Sequence, residues 1–348
     1  MKGKQFIKTM AIAAIGVTTL LTFSNLTSCT AQAHQQAYDT ISKEAITLNT
    51  DNQKKNMKHE IATFGAVHLN VTQLQRSISF WTDNIGMKVR NTTTEFTELG
   101  TNEKTLVVLY PNAKIPFQNG YSGLYHLAIH PSNEGEFARV LARLISKRYP
   151  ISPTDHTMSK AIYMEDPDGI TVEITLETPE RLARVEFGNR GPVAVDRDGT
   201  VRSASAPLDV EAVLRALPDN DIAKGLPDDT KVGHVHLYIS NLDSANDLYK
   251  KLGFQQNMYE PKYSAADLGA GGAFGHRIAL NTWQSLNKPQ APEGTAGMRF
   301  FTIIFDSPER LKAALQHVPA AQQQQGGYLV SDPSGNKILL QSESPLSN

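Results

Sequence analysis

Two segments of the chain open with the same pattern of apolar and polar positions. Residues 65–71 and 233–239 alternate apolar with polar or small side chains, which predicts strands with one buried face. Residues 78–81 and 245–249 follow with a short amphipathic helical pattern. A glycine then predicts a turn into further strands in each copy. The two openings therefore predict a repeated unit of strand, helix and strands.

Two other segments close alike. The turns 166–169 (Asp-Pro-Asp-Gly) and 332–335 (Asp-Pro-Ser-Gly) each lead into a final apolar strand. A helical pattern precedes each turn, at 136–148 and at 308–318. Openings and closures alternate along the chain, so the sequence predicts an α+β fold of four repeats. Their predicted bounds are 60–111, 122–177, 231–284 and 297–342.

The repeats predict two domains joined by a linker. The first domain covers 58–177 and the second covers 231–342, with a linker at 178–230 between them. The linker is predicted to contain one short helix near 208–217, followed by proline and glycine breakers.

The first 28 residues predict a signal peptide and not a part of the fold. A lysine-containing start precedes an apolar run at 10–26, and the run ends in Leu26-Thr27-Ser28-Cys29, which resembles a bacterial lipobox. Cys29 is the only cysteine of the chain, and its acylation would explain an odd cysteine in an exported protein. We expect a membrane-anchored lipoprotein on the periplasmic or cell-surface side, with 29–57 as a flexible tether. Cleavage after residue 33 or an uncleaved membrane helix is the alternative.

The composition of the chain limits which binding partners are expected. The formal net charge is −1, and the chain has no block of Lys and Arg, so nothing predicts binding to nucleic acid. After the signal peptide no apolar run is long enough to cross a bilayer, so contact with the membrane is expected only through the lipid anchor. With no further cysteine, a metal would have to be held by His and carboxylate side chains.

The repeats resemble those of the vicinal oxygen chelate superfamily, which contains glyoxalases, bleomycin resistance proteins and extradiol dioxygenases. The strings 123–129 (GLYHLAI), 233–237 (GHVHL) and 280–283 (LNTW) are similar to its catechol 2,3-dioxygenase-like branch. The resemblance covers nearly all of 60–342. It implies four βαβββ modules that pair into two half-barrels, each able to cup a divalent metal.

The resemblance also implies a ligand set of two His and one Glu. Extradiol dioxygenases of the superfamily use such a facial triad to bind Fe(II) or Mn(II). The matching positions here are His126, Glu173 and His234. Because an exported protein protects Fe(II) poorly, Mn(II) or Zn(II) is a further candidate. In the other two modules the matching positions hold Ala66, Phe300 and Leu339, which cannot bind a metal.

The pairing of modules decides whether these ligands meet. If the second module pairs with the third and the first with the fourth, as in some fused glyoxalases, the whole triad lies in one half-barrel; we prefer this arrangement. Sequential pairing would strand His234 in the other half-barrel and place His68 beside His126 and Glu173. Both arrangements stay open from spacing alone.

The resemblance assigns further roles around the metal. Tyr163, ten residues before Glu173, would hydrogen-bond a bound catecholate, and His276 would transfer protons beside it. His156 would also serve catalysis, while Asp155 and His236 would contact the substrate. Arg277 departs from the family pattern and would weaken His276 as a base.

The implied function is extradiol ring cleavage of a small aromatic catechol by O₂. Two other functions stay open: a glyoxalase-type lyase or isomerase, and a metal-free or Zn-bound protein that sequesters a small molecule.

Overall fold

The computed structural model describes residues 59–188, 191–324 and 326–344, which fall within one compact unit at 57–348. The predicted signal peptide, Cys29 and the whole of the predicted tether lie outside the described residues. Within them, no helix combines the length and apolarity needed to cross a bilayer.

Four βαβββ modules are present, in the predicted order, in an α+β fold. The first module has β1 (Ala62–Asn70), α1 (Leu74–Ser79) with a π-helical turn (Phe80–Ile85), β2 (Lys88–Thr92), β3 (Thr97–Gly100) and β4 (Thr105–Tyr110). The second has β5 (Gly123–His130), α2 (Glu134–Ser146), β6 (Ser152–Asp155), β7 (Ser159–Glu165) and β8 (Thr171–Glu177). The predicted repeat and its four positions are confirmed.

The chain then passes through an inserted segment before the last two modules. The insert contains a 3₁₀ turn (Pro179–Arg181), β9 (Leu182–Gly188), β10 (Gly191–Asp196), β11 (Val201–Ser203), β12 (Ala206–Pro207) and α3 (Val210–Leu214). The third module has β13 (Lys231–Tyr238), α4 (Leu242–Lys251), β14 (Gln255–Glu260), a 3₁₀ turn (Pro261–Tyr263), β15 (Ala265–Gly269) and β16 (Ile278–Asn281). The fourth has β17 (Gly297–Phe305), α5 (Pro308–Leu315), β18 (Gln322–Gln324), β19 (Gly327–Ser331) and β20 (Lys337–Ser342).

The two large sheets show how the modules pair. One sheet has the order β18-β19-β20-β17-β1-β4-β3-β2 and joins the fourth module to the first. The other has the order β12-β6-β7-β8-β5-β13-β16-β15-β14 and joins the second to the third. The preferred pairing is therefore confirmed, and sequential pairing is wrong. Each sheet takes one module from 58–177 and one from 231–342; these domain boundaries themselves stay a prediction.

Strand register makes the two sheets equivalent position by position. His126 of β5 pairs with His236 of β13, and at the same place in the other sheet Phe300 of β17 pairs with His68 of β1. In the next strand Ala128 is opposite Glu173, just as Thr302 is opposite Leu339. The alignment that put Phe300 and Leu339 at ligand positions is therefore correct.

Polar side chains cap the N-termini of the helices in the second, third and fourth modules, just after the first strand of each module ends. Asn133, Asn241 and Ser307 each accept a hydrogen bond from the backbone N–H three residues later, which satisfies a donor that the helix leaves free. These helices cover one face of each sheet with apolar side chains. That face of β5, β8 and β13 carries Leu127, Val172 and Val235, all fully buried. Because side chains alternate across a strand, the opposite face is left for polar groups.

The insert holds more strands than were predicted. Strands β9, β10 and β11 form a separate three-stranded sheet, and β12 pairs with β6 at the edge of the large sheet. The predicted short helix is present as α3, within the expected range. A turn at 196–200, Asp-Arg-Asp-Gly-Thr, between β10 and β11 was the available signal for the missed strands.

Candidate metal centre

Three strands of the second and third modules direct His126, Glu173 and His234 to one point. Each residue lies on the face opposite the helices, because its neighbours Leu127, Val172 and Val235 face the core. The three side chains are almost completely buried, with residue exposures of 3%, 1% and 1% respectively. Buried polar groups of this kind need a partner.

The closing turn sets the register of Glu173. Asp166 Oδ1 accepts hydrogen bonds from the backbone N–H of Asp168 at 2.9 Å and of Ile170 at 2.8 Å. Gly169 has a φ of +87°, in the left-handed region that favours glycine. The chain therefore leaves the turn directly into β8, with Glu173 as its third residue. In the fourth module Asp332 Oδ1 accepts the equivalent two hydrogen bonds, from the backbone N–H of Ser334 and of Asn336. The strand that follows carries no metal-ligating residue at the equivalent position.

The ligand atoms form a nearly equilateral triangle. Glu173 Oε2 lies 3.0 Å from His126 Nε2 and 3.0 Å from His234 Nε2, and the two imidazole nitrogens are 3.1 Å apart. Ligand atoms about 2.1 Å from one ion and at right angles are separated by about 3.0 Å, whereas a tetrahedral angle separates them by about 3.4 Å. The spacing fits one face of an octahedron.

The electrostatics of the triad also suit a cation. Burial lowers the pKa of both His126 and His234, although Glu173 opposes this. Burial alone would raise the pKa of Glu173, but His234 and His126 hold it well below its usual value. His126 Nδ1 is buried with no hydrogen-bond partner among the described residues. Two neutral imidazoles and one carboxylate are the donors that a divalent transition metal takes.

Tyr163 and His156 lie at one side of the triad. Tyr163 is the cross-strand neighbour of Glu173, and its hydroxyl lies 2.9 Å from His156 Nε2. His156 Nδ1 in turn lies 2.7 Å from the carbonyl oxygen of Ala204. Burial and the charge of Glu173 raise the pKa of Tyr163, so its hydroxyl keeps its proton and can donate it to a hydrogen bond.

His276 lies at another side, and its surroundings differ from the expectation. Its ring centroid is 4.6 Å from that of His234, and its Nδ1 is 3.0 Å from Asp267 Oδ1. Burial lowers the pKa of His276, but Asp267 outweighs this and leaves it raised. Arg277 lowers the pKa of His276, as expected, but the effects of Asp267 and Glu173 outweigh it. Arg277 also makes ion pairs with Glu177 and Glu60.

His236 and several aromatic rings form the remaining wall. His236 shares a face of β13 with His234, and its Nε2 lies 2.8 Å from the Asn281 side-chain nitrogen. Tyr125 packs with its ring centroid 4.8 Å from that of His236 and 5.7 Å from that of Trp283. Trp283 is 52% exposed. The wall thus leads from the triad to solvent.

Asp155 makes contacts away from the triad. Its carboxylate pairs with Arg181 at 2.7 Å and accepts the backbone N–H of Thr157 at 2.7 Å. The structure therefore places Asp155 on β6, next to the edge strand β12 and beside His156, and its role in substrate binding stays a prediction.

The other half-barrel brings no ligand set together. His68 does not approach His126 and Glu173; its ring stacks on Phe300 with centroids 3.9 Å apart. Its Nδ1 lies 3.0 Å from the Tyr110 hydroxyl. Among the described residues, one cluster of His, Cys, Asp or Glu side chains has ligand atoms close enough together to share an ion. It consists of His126, Glu173 and His234.

Several residues behind the triad were not predicted from the sequence. His130 was assigned no role, yet it is 1% exposed and lies 2.9 Å from His234. Asp267 and Glu177 were also overlooked. A signal was present: His130 follows His126 by four residues and Glu177 follows Glu173 by four, so both pairs share a strand face.

Comparison with known proteins identifies the family. Residues 63–174 match the family model of the glyoxalase/bleomycin resistance protein/dioxygenase superfamily. The chain is 30% identical over 283 residues to catechol-2,3-dioxygenase of Bacillus subtilis (strain 168), which spans 79% of this chain and 95% of that protein. The chain belongs to this superfamily. Members of the superfamily with dioxygenase activity depend on a metal, and the triad is the matching site.

Two solved structures resemble this chain, and one of them supports the fold. A Bacillus subtilis protein assigned as a dioxygenase superposes with a TM-score of 0.52 at 13% identity, covering 83% of this chain and 87% of that one. Glyoxalase I from Zea mays gives a TM-score of 0.48 at 17% identity and covers 83% of this chain and 94% of its own. The first similarity extends the superfamily's glyoxalase-like fold to both half-barrels.

Proposed function

We propose that this protein is a metal-dependent extradiol dioxygenase that cleaves the ring of a catechol-type substrate. The observation that carries the proposal is the triangle of His126, Glu173 and His234, with sides of 3.0–3.1 Å. Such a set would hold a divalent metal through three protein ligands and leave it able to take substrate oxygens and O₂. The relative named catechol-2,3-dioxygenase supports the same chemistry.

Fe(II), or Mn(II), would supply the means to orient the diol and O₂ and to pass electron density between them. The ring carbon–carbon bond beside the diol breaks, and both oxygen atoms enter a muconic semialdehyde. In the structure the Tyr163 hydroxyl donates to His156 Nε2, 2.9 Å away, because His156 Nδ1 donates to the carbonyl oxygen of Ala204. When substrate binds, the hydroxyl would turn its proton from His156 to a substrate oxygen on the side of Glu173.

His276 is placed for proton transfer on the side of His234. Asp267, 3.0 Å from its Nδ1, holds the ring so that Nε2 is the nitrogen available to substrate. His236 and Tyr125 bound the space beside the triad and suit a flat aromatic ring.

A glyoxalase-type isomerase is disfavoured by one position. The register that puts Glu173 opposite Ala128 puts Ala279 opposite His236 in the third module. A fourth protein ligand of the kind a glyoxalase uses would have to come from that place, and alanine cannot supply it. A metal-free sequestering protein would leave two buried imidazoles and a carboxylate about 3 Å apart with no cation, which is unfavourable.

We further infer that the protein is exported and held to the membrane through Cys29. The support is the order of basic start, apolar run and Leu-Thr-Ser-Cys at 26–29. Its substrate would then be met outside the cytoplasm.

The test is catechol turnover by protein loaded with one metal at a time. Anaerobic loading with Fe(II), Mn(II) or Zn(II) precedes addition of catechol and air, and O₂ uptake and the semialdehyde are measured. Fe(II) or Mn(II) should give one O₂ per catechol, whereas Zn(II) should bind without turnover because it has no redox chemistry. Absence of turnover with every metal, or isomerisation of a hemithioacetal instead, contradicts the proposal.

A further inference from the structure

We propose that His130, Glu177 and Arg277 form a positioning network that sets the orientation of His234 and so the affinity of the triad for its metal. The inference rests on the metal site of the proposed function but not on the identity of the substrate.

The network begins at the side of His234 that faces away from the triad. His234 Nδ1 lies 2.9 Å from His130 Nε2. His130 Nδ1 lies 2.8 Å from Glu177 Oε1, and Glu177 Oε1 also pairs with Arg277 at 2.7 Å. His130 and Arg277 are 1% and 3% exposed, so these contacts are made out of water, where hydrogen bonds are strong.

The carboxylate of Glu177, at the far end of the network from His234, fixes the direction of the hydrogen bonds between them. An ionised carboxylate only accepts, so the nitrogen of His130 that faces Glu177 carries the proton. The other nitrogen of a neutral His130 then accepts, and His234 must donate its Nδ1–H. That leaves the Nε2 lone pair of His234 pointing at the triad. The network therefore selects the tautomer that a metal requires.

Arg277 also contacts the backbone next to His234. It donates a 2.9 Å hydrogen bond to the carbonyl oxygen of Gly233, the residue before His234. A Cβ at position 233 would lie only 2.1–2.2 Å from ring atoms of His130. Glycine at 233 is thus needed to bring His130 against the strand that carries His234.

Two comparisons within the molecule argue that this network serves the metal. The other His ligand, His126, has a buried Nδ1 without a hydrogen-bond partner among the described residues, so outer support is concentrated on His234. In the half-barrel without ligands, strand register places Ile304 where His130 stands and Leu106 where Arg277 stands. Glu343 stands where Glu177 stands, so the sheet that lacks the triad keeps the carboxylate but lacks the histidine and the arginine that link it to a ligand.

The test measures Co(II) affinity of the purified protein by competition with a chelator, without substrate. His130→Ala should weaken Co(II) binding about 10–100-fold, the range seen when the outer partner of a metal ligand is removed. His130→Gln should recover most of the affinity, because its amide oxygen can accept the Nδ1–H of His234. Glu177→Gln should give an intermediate loss of about 3–10-fold. His68→Ala, which changes a histidine of the other half-barrel, is the matched control and should stay within about twofold.

A second readout separates positioning from general damage to the fold. In paramagnetic NMR of the Co(II) protein, the Nδ1 proton of His234 should exchange slowly with water in the wild type and rapidly in His130→Ala. If His130→Ala and Glu177→Gln both bind Co(II) as tightly as the wild type, the inference is overturned and the metal site stands. A wild type that binds no Co(II) overturns the metal site and the inference with it. If His130→Ala does not fold, Glu177→Gln decides: wild-type affinity and slow exchange in that variant overturn the inference.

Discussion

His234 Nε2 lies 3.0 Å from Glu173 Oε2, although the two residues come from different modules and are 61 positions apart. The contact exists because the second module pairs with the third. In the sequential arrangement the same residues would lie in separate half-barrels. Two ligands of one ion should lie about 3–4 Å apart, and this distance falls in that range.

Glu173→Gln should weaken the binding of divalent metal by more than about 100-fold, because a neutral amide is a poor replacement for an anionic oxygen ligand. Metal content after dialysis and chelator competition measure the effect. Glu165→Gln, at an exposed position on the neighbouring strand β7, is the control. Equal metal content in wild type and Glu173→Gln would remove the site as described.

Tyr163→Phe should keep the metal but lower kcat about 10–100-fold, the effect of losing one hydrogen bond to a charged oxygen. Steady-state turnover of catechol and metal analysis check the two parts separately. Tyr149→Phe is the matched control, since it removes a 2.7 Å hydrogen bond to the carbonyl oxygen of Glu165, away from the triad. A Tyr163→Phe protein with wild-type kcat would show that the hydroxyl does not contact the substrate.

The fold was predictable because its repeats appear in the local pattern, whereas the pairing of modules was not. Two copies of an opening motif and two of a closing motif give four modules, but strand alternation is the same whichever modules form a sheet. The requirement that His126, Glu173 and His234 share a metal favoured one pairing, together with the pairing seen in some fused glyoxalases. The strands β9 to β11 were missed because the segment between modules was read for helices and breakers alone.

The triad was predictable in the same way, and its surroundings were not. His126, Glu173 and His234 occupy family positions, but Asp267 reaches His276 across the sheet through the β15–β16 pairing. Spacing along the chain does not indicate such a contact. The net pKa of His276 could not be predicted for this reason: Arg277 lowers it as expected, but Asp267 and Glu173 raise it by more.

His68 makes the stability of the protein depend on pH. Burial, with a smaller effect of Arg299, lowers its pKa from 6.5 to about 4. Below pH 6.5 the unfolded chain takes up a proton that the folded protein accepts only near pH 4, so stability is lost as pH falls through this window. His68→Phe should reduce the loss in the free energy of unfolding between pH 7 and pH 5 by roughly 1–2 kcal/mol.

Urea unfolding at both pH values measures this effect. His317→Phe, which changes an exposed histidine of the fourth module, is the matched control. The same loss in wild type and His68→Phe would contradict the assignment.

Cys29→Ser should release the protein from membranes or block its processing, because the thiol is the proposed site of acylation. Membrane fractionation and N-terminal sequencing of the mature protein measure this. If the variant stays with membranes as the wild type does and its mature chain begins at His34, the lipoprotein assignment is wrong.

The most direct test of the central claim is a crystal of the protein loaded with Mn(II), with the ion located by its anomalous scattering. We predict one strong peak within about 2.0–2.3 Å of His126 Nε2, His234 Nε2 and Glu173 Oε2, and none near His68 and Phe300. A peak elsewhere in the molecule, or none at the triad at saturating Mn(II), would contradict the proposed metal centre and the ring-cleavage chemistry that depends on it.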